Sequence, residues 1–335
     1  MATSLPVMLR SHGAQAFKPA GWCRGAHAQT VVGALFRPRP RLTLIRKRID
    51  TPDGDFLDLD FLEATGAPAR PEPLIVILHG LEGSSHAPYV LSLLGEIKKQ
   101  GRAACAVNMR MCSGEPNRKL ATYHSGKTED LDCVIRYLKD KKNRQKLFLI
   151  GFSIGGNIVL KWLGEEGSRA SELIEKAVAI SVPCDLAKSV ELLDRGFNRE
   201  VYTRRLLASL KAKLALKARL HPDAIRLDRV KNCRTFRVFD REVTAPLNGF
   251  RDEVDYWTKA SSRPFLKAIR VPTLVIHAED DPFFPARLLP LEEFEKSDYL
   301  HPLIVPAGGH VGFVSGQPWK WDLWLERTTL DFLKE

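Results

Sequence analysis

The sequence predicts an α/β fold, a mostly parallel, doubly wound sheet carrying an inserted helical cap. Three observations predict it. Short aliphatic runs of strand length recur along the chain, helical repeats separate them, and one long basic stretch interrupts the alternation without strand signals. At 335 residues the chain can form one large folding unit with an insertion. Its 44% hydrophobic and 27% charged residues, free of any biased tract, describe a globular composition rather than a disordered or fibrous one. The organisation read from these patterns is an N-terminal arm over 1–40, a core over 41–184 and 265–335, and a helical cap over 185–264.

Residues 42–62 read as two strands around the turn Thr51-Pro52-Asp53-Gly54, because Leu57, Leu59 and Phe61 alternate with acids and Asp-Gly favours a tight hairpin. The run Leu74-Ile75-Val76-Ile77-Leu78 is continuous, as a strand buried on both faces should be. A helix over 88–99 is stopped by Gly101, and a strand over 103–109 follows. Leu131, Val134, Ile135 and Leu138 repeat at three and four residues, which predicts a helix with one apolar stripe before a strand over 146–150. Another helix opens beyond Ser153, and a strand over 177–182 leads into the basic stretch. Strands return at 273–277 and 303–305, and 319–333 carries helical spacing. Strands alternating with helices over this length argue for a doubly wound, mostly parallel sheet.

Chemistry concentrates at three strand ends. Gly151-Phe152-Ser153-Ile154-Gly155-Gly156 follows a buried strand and opens a helix, a context in which a serine on a sharp strand-to-helix turn is pushed outward and needs glycines beside it. A serine hydroxyl is inert near neutral pH, so a base and an orienting acid must follow it. The acid is read as Asp281, just past the strand over 273–277, with Asp280 as its competitor because sequence does not say which carboxylate turns inward. Gly308-Gly309-His310, after the last strand, supplies the base. A metal site built from His277, Glu279, Asp280 and Asp281 is disfavoured, since adjacent strand residues point to opposite faces; no metal and no cofactor is expected. The oxyanion donors are read as the backbone N–H groups of Ile154, directly after the nucleophile, and of Leu81, in the run His79-Gly80-Leu81-Glu82-Gly83.

The net charge of +11 is unevenly spread: between Arg204 and Arg234 ten Lys and Arg face only Asp223 and Asp228. Within 201–220, Leu207, Leu210 and Leu214 line one helix face while Arg204, Arg205, Lys211, Lys213 and Lys217 fill the remainder. This reads as a solvated cap surface, or as a patch drawn to anionic membrane. Nucleic acid is not expected as a partner, because no groove-reading motif or aromatic platform accompanies the charge. Six scattered cysteines without a C-x-x-C pair read as reduced thiols. No window reaches the length of a membrane helix, and the opening 1–13 has too short an apolar run for a secretory segment, so a cytoplasmic location is expected.

Several motifs lie outside this triad: His79-Gly80-Leu81-Glu82-Gly83-Ser84-Ser85, Cys112-Ser113-Gly114-Glu115-Pro116-Asn117, Tyr123-His124-Ser125-Gly126, Thr244-Ala245-Pro246-Leu247, Gly249-Phe250 and Ala260-Ser261-Ser262-Arg263-Pro264. With Gly151 to Asn157 they make the chain resemble the YheT-like branch of the α/β-hydrolases, a family of esterases and lipid hydrolases. The resemblance implies an α/β-hydrolase fold, a triad on Ser153, Asp281 and His310, and hydrolysis of small-molecule esters with short- to medium-chain acyl groups. Some relatives pass the acyl group to an alcohol, so an acyltransferase, or a monoacylglycerol or phospholipid lipase, is the rival enzyme. A catalytically silent hydrolase-fold binding protein is the rival of another class. Asn108-Met109-Arg110-Met111-Cys112 stands where the family usually has an Asn-Phe-Arg-Gly-Cys-like run, and Ala278 replaces a frequent glycine. Tyr123 and His124 have no role derivable from sequence, and His124 reads as a satisfied loop histidine.

Overall fold

The computed structural model describes residues 16–64, 73–142 and 146–334, and eight strands share one sheet in it. β1 (Ile45–Asp50) pairs antiparallel with β2 (Phe56–Leu62), Ile49 opposite Leu57 and Asp50 opposite Phe56, so the predicted turn closes the hairpin. There follow β3 (Leu74–Leu78), β4 (Ala104–Asn108), β5 (Leu147–Phe152), β6 (Ile174–Ile180), β7 (Thr273–Ala278) and β8 (Leu300–Val305). The spatial order is β1-β2-β4-β3-β5-β6-β7-β8. β2 pairs antiparallel with β4, and from β4 to β8 every neighbouring pair is parallel. The opening 1–13, read above for a secretory segment, lies outside the described residues, as does the first part of the arm over 1–40.

Four helices matter for the site: α1 (Ala26–Phe36), α2 (Pro88–Lys99), α3 (Thr128–Lys142) and α4 (Ile154–Glu166). The sheet is sandwiched because both of its faces are apolar. On one, Val76, Leu149 and Val275 meet Leu131, Val134, Ile135 and Leu138 of α3 and Ile158 and Leu163 of α4. On the other, Ile75, Ile150 and Ile276 meet Leu93, Leu94 and Ile97 of α2 and Leu330 and Leu333 of the C-terminal helix Trp324–Lys334. Burial of these side chains, at roughly 1.5–3 kcal/mol each, is the main force joining the layers.

The acids of β2 do not face water as their alternation suggests. Asp58 and Asp60 are buried because β1 supplies their cations: Arg48 grips Asp58 at 2.8 and 2.9 Å, and Arg46 grips Asp60 at 2.8 Å through both nitrogens. A second buried charge, Arg110 after β4, reaches Asp53, Asp55 and Asp130 and so ties the hairpin turn to α3. Such bidentate guanidinium pairs supply geometry as well as energy.

Several boundaries differ from expectation: β8 begins at Leu300 rather than at 303, and β5 runs on to Phe152 rather than ending at 150. β6 begins at Ile174 rather than at 177, since Ile174 pairs with Leu147 and the polar Glu175 and Lys176 are tolerated near the end of the sheet. The stretch over 319–333 is not helical throughout: Lys320–Trp321 pairs with Gly316–Gln317, and the helix starts only at Trp324. The Asp322 N–H donates to Ser315 and the Trp321 ring packs on Trp22, contacts a helix there would break.

Between β6 and β7 the described residues form helices and no strand, among them Leu186–Leu193, Arg204–Ala218 and Glu253–Ala260. We call this segment the cap. It has its own apolar cluster, with Leu186, Leu207, Leu214, Phe236, Phe239 and Trp257 buried. Its cationic face is thinner than the sequence suggests. Arg204 and Arg205 are exposed, but Lys217 is fully buried, its ammonium donating to the Asn117 carbonyl at 3.2 Å, and Lys213 turns inward. Burial pushes the Lys217 amine down to about 8. Among the described residues no helix is long and apolar enough to cross a membrane.

Candidate active site

β5 ends at Phe152 and α4 starts at Ile154, so one residue must make the whole bend. That residue is Ser153, held at φ 53° and ψ −120°, a strained conformation for any residue with a Cβ. The bend closes because Gly151 and Gly155 lack side chains. A Cβ on Gly155 would lie 2.5 Å from the His79 carbonyl oxygen, and one on Gly151 would lie 2.5 Å from that of Gly155. The Ser153 N–H donates to the Ile180 carbonyl at 2.8 Å, which anchors the bend to β6.

The Ser153 Oγ lies 2.9 Å from Nε2 of His310, and Nδ1 of His310 lies 2.8 Å from Oδ2 of Asp281. The three side chains expected from sequence are thus one hydrogen-bonded chain across the carboxyl ends of β5, β7 and β8. Asp281 is fully buried. Its Oδ1 accepts the N–H of Phe283 at 2.8 Å and of Phe284 at 3.2 Å. Burial works to raise this carboxyl, yet the charge and hydrogen bond of His310, with His277 and the Phe283 N–H, outweigh it and hold the group below the usual carboxylate range. Asp280 does a different job, accepting the Gly309 N–H at 2.9 Å. His277 is buried and its Nε2 lies 2.6 Å from the Phe284 carbonyl, so it braces the same loop. Burial lowers its pKa.

The loop bearing His310 is fastened from several sides. Thr30 of α1 accepts the His310 N–H at 2.9 Å, and the Ser181 hydroxyl accepts the Val311 N–H at 3.0 Å. Gln29, buried in α1, both donates to the Val314 carbonyl and accepts its N–H. The Phe283 ring stacks on the imidazole at 4.1 Å and 21°, and Tyr202 of the cap packs edge-on against Phe283 at 4.8 Å. The one hint to these supports in the sequence was the pair Phe283-Phe284, just past Pro282 and Asp281.

The expected oxyanion donors line the same space as Ser153. His79 is buried and neutral, burial carrying its pKa down to about 4; its Nδ1 lies 2.7 Å from the Gly80 carbonyl, and Nε2 accepts the Met109 N–H at 3.1 Å. Gly83 also donates to the Gly80 carbonyl, at 3.0 Å. With that carbonyl fixed by two donors, planarity sends the Leu81 N–H of the same peptide the opposite way. Among the described residues no acceptor takes the N–H of Leu81 or of Ile154. The amino end of α4 adds partial positive charge at the same place.

A cavity of about 560 Å³ opens over Ser153. Its walls are mostly apolar: Val31 and Leu35 from α1, Leu186, Val190 and Leu210 from the cap, and Met111 from the loop after β4. Met111 stands at φ 68°, in the left-handed region that glycine occupies most freely. The remaining motifs now have places. Asn157 of α4 is fully buried and donates to the carbonyls of Ser125 and Ala260, both at 2.7 Å, while accepting the Ser262 N–H at 2.9 Å, so one side chain ties three motifs together. His124 packs edge-on against Phe250 and Tyr256, and burial lowers its pKa to about 3, which keeps it neutral. Tyr123 hydrogen-bonds Glu82 at 2.7 Å.

Comparison with known proteins gives a consistent family. Residues 73–317 match the family described as alpha/beta hydrolase fold. The provisionally named esterase YheT of Escherichia coli (strain K12) is 37% identical, over 95% of this chain and 92% of its own. The phospholipase ABHD3 of Mus musculus is 28% identical over 90% of this chain and 74% of its own, and a monoacylglycerol lipase of Saccharomyces cerevisiae is 31% identical over 74% and 57%. The solved Pyrococcus furiosus esterase Pf2001 shares the fold, with a TM-score of 0.55 at 17% identity over 97% of this chain and 98% of its own.

Proposed function

Because the chain belongs to the YheT-like branch of the α/β-hydrolase family, an ester-hydrolysing family, we propose that it cleaves carboxylic esters of short- to medium-chain acyl groups through an acyl-enzyme on Ser153. The observation that carries the reading is the unbroken hydrogen-bond chain from Ser153 Oγ to His310 to Asp281, at 2.9 and 2.8 Å, opening onto an apolar cavity. In the proposed reaction His310 accepts the Ser153 proton as Oγ attacks the ester carbonyl. The N–H groups of Leu81 and Ile154 receive the tetrahedral oxyanion, each contributing about 3–4 kcal/mol to lowering the barrier. His310 then passes the proton to the leaving alkoxide, and the alcohol departs. Water, deprotonated by the same imidazole, attacks the acyl-enzyme, and His310 returns that proton to the Ser153 oxygen as the acid leaves. Asp281 keeps the Nδ1 proton facing itself, so that Nε2 is the free base.

A panel of p-nitrophenyl esters of graded length, with fluorophosphonate labelling, tests this. Hydrolysis should peak at short to medium chains, the probe should modify Ser153, and Ser153→Ala should lose roughly 10⁴-fold or more in turnover because the triad acts as a unit. Retained turnover in Ser153→Ala would remove the reading.

A second reading is favoured by the names of two relatives, a phospholipase and a monoacylglycerol lipase: the natural ester is a lipid taken from a membrane surface. Val201 and Arg205 line the cavity while remaining exposed, and Phe197 is exposed nearby in sequence, which supports an approach of the cap to anionic lipid. Equal partition of the protein to neutral and anionic vesicles at low salt would exclude it. The six cysteines, scattered along the sequence without a C-x-x-C pair, support a cytoplasmic location.

A further inference from the structure

Glu82 is an unusual residue for its position. The Gly83 N–H donates to the Gly80 carbonyl at 3.0 Å, making Gly80–Gly83 a tight turn with Leu81 and Glu82 at its centre. Glu82, third in the turn, stands at φ 57°, where a type II turn favours glycine. An acidic residue with a Cβ holds that conformation at a steric cost. The side chain is used for something that offsets it.

The carboxylate is almost fully buried, with 5% of the side chain exposed, and every group that meets it comes from outside the turn. Lys213 donates to Oε1 at 2.8 Å, and the Tyr123 hydroxyl donates to the same oxygen at 2.7 Å. Ser209 hydrogen-bonds Oε2. The Tyr123 hydroxyl also accepts the Glu82 N–H at 3.0 Å, so it fixes backbone and side chain together. Lys213 and Ser209 belong to the cap helix Arg204–Ala218. Both halves of the turn are therefore determined: His79 and Gly83 fix the peptide that carries the Leu81 N–H, and Tyr123 fixes the next one. If Glu82 relaxed to a negative φ, that second peptide would flip and its N–H would leave Tyr123.

We propose that Glu82 is a positioning residue: through it the cap helix holds the Gly80–Gly83 turn, and with it the Leu81 N–H, in the shape that receives the developing oxyanion. The inference rests on the reading of Leu81 as an oxyanion donor. The core strands alone do not complete this turn; two residues of the cap finish it. The Glu82 carboxylate and the Lys213 ammonium each lose their counter-charge if the other is removed, a cost in stability that melting reads apart from kcat.

The test is steady-state kinetics on a p-nitrophenyl ester with the full chain, for Glu82→Ala, Glu82→Gly and Glu82→Gln, together with thermal melting. Glycine adopts the left-handed conformation without strain, so Glu82→Gly removes only the latch. Complete loss of one oxyanion donor costs about 10²–10³ in kcat. A misplaced donor should cost roughly 10- to 100-fold in the alanine and glycine variants, with KM changed less than about twofold. Glu82→Gln, which keeps an acceptor for Tyr123, should retain most of kcat. Folded alanine and glycine variants with kcat within about threefold of the original, or a loss confined to KM, overturn the proposal. If those variants do not fold, Tyr123→Phe decides: it removes the hydroxyl that grips the turn and should lower kcat by about tenfold, whereas unchanged kcat refutes the role of Glu82. Ser153→Ala runs alongside. Activity surviving there removes the serine-hydrolase reading itself, while an inactive Ser153→Ala beside fully active Glu82 variants removes only the latch.

Discussion

Replacing Asp281 by asparagine should inactivate the enzyme through the wrong histidine tautomer, and the hydrogen bonds around the carboxylate say why. Oδ1 of Asp281 accepts two backbone N–H groups, from Phe283 and Phe284, while Oδ2 faces Nδ1 of His310. An asparagine at 281 must keep its oxygen on the two N–H donors, because the opposite flip would set its NH₂ against them. The NH₂ then meets Nδ1 of His310. That nitrogen must become the acceptor, Nε2 must carry the proton, and Nε2 can no longer accept from Ser153. Where a triad carboxylate is changed this way in other serine hydrolases the loss in kcat is about 10⁴, some 5 kcal/mol in the barrier. Asp280→Asn is the contrast. Its carboxylate accepts the Gly309 N–H, with the Gly308 N–H also facing it, and an amide oxygen can accept both, so a loss below about tenfold is expected. The assay is kcat for both variants on one activated ester, with circular dichroism to show that each folds. An Asp280→Asn loss equal to or larger than that of Asp281→Asn would refute the reasoning.

Asn157→Ala breaks hydrogen bonds to Ser125, Ala260 and Ser262 in a buried site. It should destabilise the fold by about 3 kcal/mol or more, read by urea unfolding, since the groups left behind find no water; a change below about 1 kcal/mol would contradict the account. Asp240 gives a pH-dependent outcome. Burial pushes its carboxyl up to about 7, against hydrogen bonds from Trp257 and Thr244. With the folded value above the unfolded one, the folded state holds the extra proton between the two. Stability contributed by this group is therefore present below pH 4 and is lost as pH rises to about 7. Asp240→Asn should remove that dependence, so its stability advantage over the original grows by up to about 4 kcal/mol from pH 4 to pH 7 and then levels off. A difference that is flat across this range in urea titrations would show that Asp240 does not titrate there.

The sheet was legible because its strands are unmistakable in composition. Leu74–Leu78 and Leu147–Phe152 are apolar without interruption, and only a strand covered on both faces makes use of that. The three residues proposed as the triad were legible for a different reason: each follows the carboxyl end of a strand, in the chain order that the proposed reaction needs. Sequence could not separate Asp280 from Asp281, because adjacent residues in a loop differ only in which way the backbone turns them. It also misplaced Lys217 and Lys213 on a solvated face. Helical periodicity marks the leucine stripe, but the stripe is bordered on one side by the loop after β4, whose Asn117 carbonyl and buried Cys112 draw those two ammonium groups inward.

What sequence reading missed has one physical character: contacts made by side chains from elements distant in the chain and carrying no periodicity. Thr30 and Gln29 lie about 280 residues from the loop they hold, and nothing in the pattern of α1 marks them as other than a polar edge. Tyr202 reaches His310 through Phe283, and Lys213 reaches the Gly80–Gly83 turn through Glu82. Thr30 and Gln29 of α1 hold the loop directly, whereas these two residues of the cap act through an intermediary supplied by the core. A helical insertion that served merely as a cover would make apolar contacts and could be exchanged without changing kcat. One that completes the turn beside the nucleophile and sets the ring packed on the base must tie turnover, as well as substrate affinity, to the way it is docked.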